Sequence, residues 1–182
     1  MTYQIDQSGR IEQTNLNTIL AITNKNKQIV IIFNRKNKRI LQSIFRNQRK
    51  IRMFTILTFS ALIAILIKKS AIGRNNILID HEYLADEDFI KEHILQYLQK
   101  LKVYKIPKIE FGHVGKTSFA HELAAKVAHQ KKKADKIVNL KEVFELALLP
   151  IKKIGYPGIS GIEGNLTQDW LPGGQNPSRS SK

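Results

Sequence analysis

"KNKRILQSIFRNQRKIRMFTILTFSALIAILIKKS", Lys36 to Ser70, is the stretch on which the fold turns. No proline or glycine interrupts it, and Ile40, Leu41, Ile44 and Phe45 recur at helical spacing. One long helix, or two in series, is expected. The second half, Met53–Ile67, is apolar apart from two Thr and one Ser, with Lys and Arg on both flanks. Spanning a bilayer takes about 20 apolar residues, and shorter runs are more often buried core helices. The expected arrangement is therefore a helix laid against a sheet and covered on its other side. A membrane-associated basic protein is the competing reading.

The flanking segments supply the sheet. Upstream, "TILAIT" (Thr18–Thr23) and "KQIVIIF" (Lys27–Phe33) are β-branched runs separated by Asn24-Lys25-Asn26, the pattern of a hairpin. With Tyr3–Ile5 they make three antiparallel strands. Downstream, "NNILIDHEY" (Asn75–Tyr83) and "KIEFGHV" (Lys108–Val114) read as strands. Between them "DEDFIKEHILQYLQKL" (Asp86–Leu101) is an amphipathic helix with acids in its first turn, where the helix dipole favours them. "KTSFAHELAAKVAHQKKK" (Lys116–Lys133) reads as a further helix. "NLKEVFELALL" (Asn139–Leu149) is another, opened by an Asn cap with Glu142 three residues on and stopped at Pro150. The order β-β-β-α-β-α-β-α implies an α/β sheet of mixed direction. Residues 1–149 form one expected domain. From residue 150 on lie six of the ten glycines and four of the five prolines, so 150–182 reads as an extended arm. Trp170 is its candidate docking point, onto the domain or onto a protein partner.

Charge is distributed unevenly. The chain of 182 residues carries 30 Lys and Arg against 15 Asp and Glu, a net charge of +15. That balance points to a polyanionic partner, with nucleic acid ahead of a membrane surface. Thirteen of the cations lie between residues 25 and 76, where there is no acid. Arg35, Lys36, Lys38, Arg39, Arg46, Arg49, Lys50 and Arg52 are the candidate phosphate contacts from this segment. Lys116, near a helix N-terminus, joins them. The absence of cysteine excludes disulfides, thiol nucleophiles and zinc-thiolate sites. Met1-Thr-Tyr-Gln opens no signal peptide, and a cytoplasmic location is expected.

Against that basic background a few acids stand out. Asp6 lies in the first strand, directly before the Ser8-Gly9 turn, and no acid occurs from Gln13 to Ile79. Asp80 and Glu82 then end the fourth strand. Strand alternation places Leu78, Asp80 and Glu82 on one face. "GHVGKTS" (Gly112–Ser118) has the strand, Gly-Lys-Thr and helix of a phosphate-binding loop, but only His113-Val114 separate its glycines, where that motif needs four residues.

The element order, with Asp6 in the first strand and Asp80 in the fourth, resembles the ribonuclease H-like superfamily of nucleases, resolvases and transposases. "IDQSGRIE" (Ile5–Glu12) looks like its opening, an Asp before a small-residue turn. "FAHELA" (Phe119–Ala124) looks like the start of its last helix, with His121 where the family usually has an acid. The resemblance covers roughly residues 3–130. It implies a nuclease dependent on Mg²⁺ or Mn²⁺ acting on RNA, hybrid or structured DNA. Asp6, Asp80 and His121 would be metal ligands or catalytic groups, with Glu82 and Glu122 in reserve, and Asp6, Asp80 and Glu82 the carboxylate metal set. Hard divalent cations prefer such oxygen ligands, and two ions about 4 Å apart can activate water and stabilise a leaving oxygen. Ribonucleases H usually supply a Glu from their first helix, which the acid-free stretch lacks. Glu12, Glu82 or Glu122 is the candidate substitute, and the last-helix residue is open among His121, Glu122 and Asp135. A non-catalytic nucleic-acid-binding protein on the same fold is the main alternative.

Overall fold

A computed structural model describes residues 1–115 and 118–148, and the account below concerns the compact unit Met1–Ala147. Lys116 and the arm at 150–182, with Trp170, lie outside the described residues.

Three strands open the chain: β1 (Thr2–Ser8), β2 (Thr18–Thr23) and β3 (Gln28–Phe33). They pair antiparallel, with Asp6 opposite Ala21 and Ala21 opposite Val30. All six residues of β2 are buried, as its unbroken apolar run requires of a strand covered on both faces. Two helices in series follow, α1 (Arg35–Asn47) and α2 (Ile51–Ser70), separated where Arg49 takes a left-handed φ of 55°. Then come β4 (Asn76–Ile79), a single 3₁₀ turn at Leu84–Asp86, α3 (Glu87–Lys100), β5 (Lys108–Phe111), α4 (Phe119–Ala128), β6 (Lys136–Val138) and α5 (Leu140–Ala147). The six-stranded sheet runs β5-β4-β1-β2-β3-β6, with β4 parallel to both β1 and β5 and β6 parallel to β3. The molecule is thus an α/β protein on a mixed sheet.

The helices divide between the two faces. α4 seats Leu123, Ala124 and Val127 on Ile19, Ala21 and Val30, the face to which the strand register also assigns Asp6. α2 lies against β2 and β3 and is flanked by α1, α3 and α5. Thirteen of its twenty residues are buried, including every position from Leu57 to Ile67. α2 is the one described helix long and apolar enough to cross a membrane, yet its apolar surface is occupied by the protein's own sheet and helices.

Several sequence boundaries shift. β4 ends at Ile79, so Asp80 and Glu82 lie beyond the strand rather than on its alternating face. α4 spans Phe119–Ala128 instead of Lys116–Lys133, closing where Gln130 turns to a φ of 58°. The short strand β6 was not expected. Asp135 initiates it by exchanging bonds with Val30: the Val30 N–H donates to Asp135 Oδ2 at 2.7 Å, and the Asp135 N–H to the Val30 carbonyl at 2.9 Å. That role also removes Asp135 from the candidate metal groups. The capping box of α5 is formed as expected, Glu142 N–H to Asn139 Oδ1 at 2.8 Å and Asn139 N–H to Glu142 Oε2 at 3.2 Å.

Candidate metal centre

The carboxylates gather at one edge of the sheet, where the parallel strands β1, β4 and β5 end. Asp6 comes two residues before the end of β1 and Asp80 directly follows β4. The carboxyl ends of parallel strands are where open α/β sheets place their ligands. The Asp80 N–H donates to the Ile5 carbonyl at 3.0 Å, continuing the β1–β4 ladder and setting the two aspartates on adjacent strands. Glu82 arrives from the turn that follows, its N–H bonded to the Asp80 carbonyl at 2.9 Å. One oxygen from each of Asp6, Asp80 and Glu82 lies within 4.8 Å of the other two.

Each carboxylate is held differently. Asp6 is 4% exposed. Its Oδ1 accepts the Gln7 N–H at 2.8 Å, and its Oδ2 lies 2.8 Å from His121 Nδ1. Asp80 Oδ1 accepts the Val114 N–H at 2.8 Å. That amide belongs to the described part of the "GHVGKTS" segment. Glu82 Oε2 pairs with Arg10 Nε at 3.2 Å. Asp80 Oδ2 and Glu82 Oε1 accept no hydrogen bond among the described residues.

Burial pushes the Asp6 carboxyl above its ordinary value, opposed by the Gln7 amide and His121, while the Asp80 charge adds to the rise. Burial also raises Glu82, partly offset by Arg10 and reinforced by Asp6, Asp80 and Glu12. The three groups therefore repel one another in a partly desolvated site, the condition that a bound cation relieves.

His121 sits just inside α4, its N–H capped by Ser118 Oγ at 3.1 Å. It contacts Asp6 but falls outside the three-carboxylate group. With Nδ1 on Asp6, the ring orients a prospective ligand rather than serving as one through that nitrogen. Glu122 does not join the site. One position further round the helix, it is exposed and pairs with Lys126 at 2.6 Å.

Arg10 was not among the residues expected from the sequence. It is delivered by the loop after Gly9, whose φ of +74° and 2.2 Å clearance between a notional Cβ and the Asn17 carbonyl oxygen admit only glycine. Lys38 fixes this loop. Its Nζ donates to the Arg10 carbonyl at 2.8 Å, the Gln13 carbonyl at 2.9 Å and Thr18 Oγ1 at 2.9 Å. Lys38 is 0% exposed, which corrects its expected role: an ammonium enclosed by three acceptors has no face left for a phosphate. Burial lowers its pKa to about 8. Arg35, Lys36, Arg39, Arg46, Arg49 and Arg52 are exposed, Arg39 donating to the Thr14 carbonyl at 3.1 Å, and Lys50 is half-buried. Helical spacing from Lys38 to Leu41 and Phe45, the buried residues of α1, is the signal that sorts Lys38 from its neighbours. Comparison of the chain with protein-family models, with curated proteins and with solved structures finds no match in any of the three.

Proposed function

We propose that the protein is a divalent-metal-dependent nuclease of ribonuclease H-like type. The observation that carries this reading is the convergence of Asp6, Asp80 and Glu82 from separate points in the chain onto one group of oxygens within 4.8 Å. Three opening strands followed by helices alternating with strands, with α1 and α2 in series after β3 and an added β6–α5 at the end, support it, as do aspartates near the ends of two adjacent parallel strands. The donor set suits a hard cation: all three groups are carboxylates, and Asp80 and Glu82 each keep one oxygen that accepts no hydrogen bond among the described residues.

Asp6, Asp80 and Glu82 would hold Mg²⁺ or Mn²⁺, which supplies activation of water and neutralisation of charge on a phosphodiester. The protein's own groups prepare the site. Val114 N–H and the ladder bond at Asp80 N–H fix one aspartate. Gln7 N–H and His121 Nδ1 fix the other. Arg10 neutralises one oxygen of Glu82 and leaves the second available. Exposed Arg35, Lys36 and Arg39 follow the end of β3, which runs parallel to β1, so they stand at the same edge of the sheet for phosphate contact.

The Arg10–Glu82 pair also favours a second reading, a non-catalytic nucleic-acid-binding protein whose third carboxylate is permanently neutralised. Incubation of the purified chain with RNA–DNA hybrid, duplex RNA and branched DNA, with Mn²⁺ or EDTA, separates the two. The nuclease reading expects Mn²⁺-dependent cleavage that Asp80→Asn abolishes while binding persists. Binding without cleavage under every condition would favour the second reading.

A further inference from the structure

Four lysines and an exposed tyrosine gather at the opposite edge of the sheet, where β4 and β5 begin. α2 ends in Lys68-Lys69-Ser70 and feeds β4, while α3 ends at Lys100 and feeds β5 through Leu101–Pro107. A cavity of about 430 Å³ between these connections is lined by Lys68, Ile72, Lys102, Val103, Tyr104 and Lys105, among others, with no acid among its described lining residues. A second cavity of about 520 Å³, sharing Lys68 and Leu101 with the first, adds Lys69, Lys100 and Lys136. Its two acids are already engaged, Glu142 by Lys136 and Glu145 by Lys141. Lys68, Lys69, Lys102 and Lys105 are exposed and have no ion pair among the described residues.

Tyr104 is 83% exposed, although a ring of that size normally finds cover. It directly follows a defined turn. Lys102 takes a left-handed φ of 58°, its N–H donates to the Gln99 carbonyl at 3.0 Å, and the Val103 N–H donates to the Leu98 carbonyl at 2.9 Å. An exposed aromatic ring flanked by lysines, beside a cavity lined by cations, is what sequence-tolerant single-strand binding uses: cations track the phosphates and bases stack on the ring.

We infer that this groove is a single-stranded nucleic-acid site, distinct from the carboxylate edge, with Tyr104 as its stacking platform and Lys68, Lys69, Lys102 and Lys105 as its phosphate contacts. The strand β4 separates the two edges, about 13 Å from Asn76 to Asp80 at strand rise. An anionic bilayer is the weaker fit, because the site is concave and Tyr104 is its one large exposed apolar side chain.

The test is fluorescence anisotropy of the full chain with a labelled oligothymidylate of roughly 15 nucleotides, in EDTA so that cleavage plays no part. Tyr104→Ala should weaken binding about tenfold and Tyr104→Trp should preserve it. Converting the four lysines to Gln should flatten the log–log salt dependence by up to about 3. Thermal melting of each variant verifies that these surface changes leave the fold intact. Wild-type affinity in Tyr104→Ala, or tighter binding to phosphatidylserine vesicles than to the oligonucleotide, would overturn the assignment. Because the readout needs neither metal nor cleavage, it can fail while the nuclease reading stands, and the reverse.

Discussion

At the scale of single residues, the site is a set of charges placed where each is costly alone. Asp6 and Glu82 both have carboxyl pKa values raised by burial. The folded state therefore holds protons that the unfolded chain releases near 3.8 and 4.5. The contribution of these two groups to stability should be greatest below those unfolded values and should fall as pH rises through the raised folded ones. The difference in melting temperature between wild type and Asp6→Asn in EDTA should show that decline, and Mn²⁺ should reduce it by stabilising the ionised cluster. A difference independent of pH would contradict the electrostatic picture. Lys38 is the reverse case, a buried cation with all three of its hydrogen bonds satisfied. Lys38→Ala removes three charge-assisted hydrogen bonds from this buried loop and should cost about 2–4 kcal/mol in urea unfolding. A cost within 0.5 kcal/mol, the level of an ordinary surface change, would mean that the loop holds without it.

At the scale of elements, what the chain reveals depends on whether a pattern is local. The hairpin of β2 and β3, the apolar core helix and the capping box at Asn139 are all written in neighbouring residues, and each is present. Asn139→Ala should lower stability by about 1 kcal/mol through loss of that cap. What the sequence conceals is set by distant partners. β6 is three residues long and exists because β3 offers an edge and Asp135 bonds to Val30. The site divides the same way. Asp6 and Asp80 were legible as isolated acids beside strands, but Arg10 reaches Glu82 across a loop that a buried lysine on α1 holds in place. The long apolar helix makes its own test. Ala61 is fully enclosed in α2, so Ala61→Lys should destabilise the protein by at least about 3 kcal/mol. Tolerance of lysine there would show that this face of α2 is open rather than packed.

At the scale of the whole molecule, the acid-free stretch from Gln13 to Ile79 has two structural consequences. Its buried half builds the core helix, and its exposed cations on α1 and the start of α2 form a basic surface. Replacing Arg46, Arg49 and Arg52 by Gln should reduce the salt dependence of duplex binding by up to about 3 in the log–log slope. An unchanged slope would place the phosphate contacts elsewhere. The central claim, that Asp6, Asp80 and Glu82 act together as a cation site, is tested most directly by calorimetric titration of Mn²⁺ into wild-type protein and Asp80→Asn. Saturable binding by wild type, lost or much weakened in Asp80→Asn with its far-UV spectrum unchanged, is the expected result. Equal binding by the two proteins, or none by wild type, would contradict it.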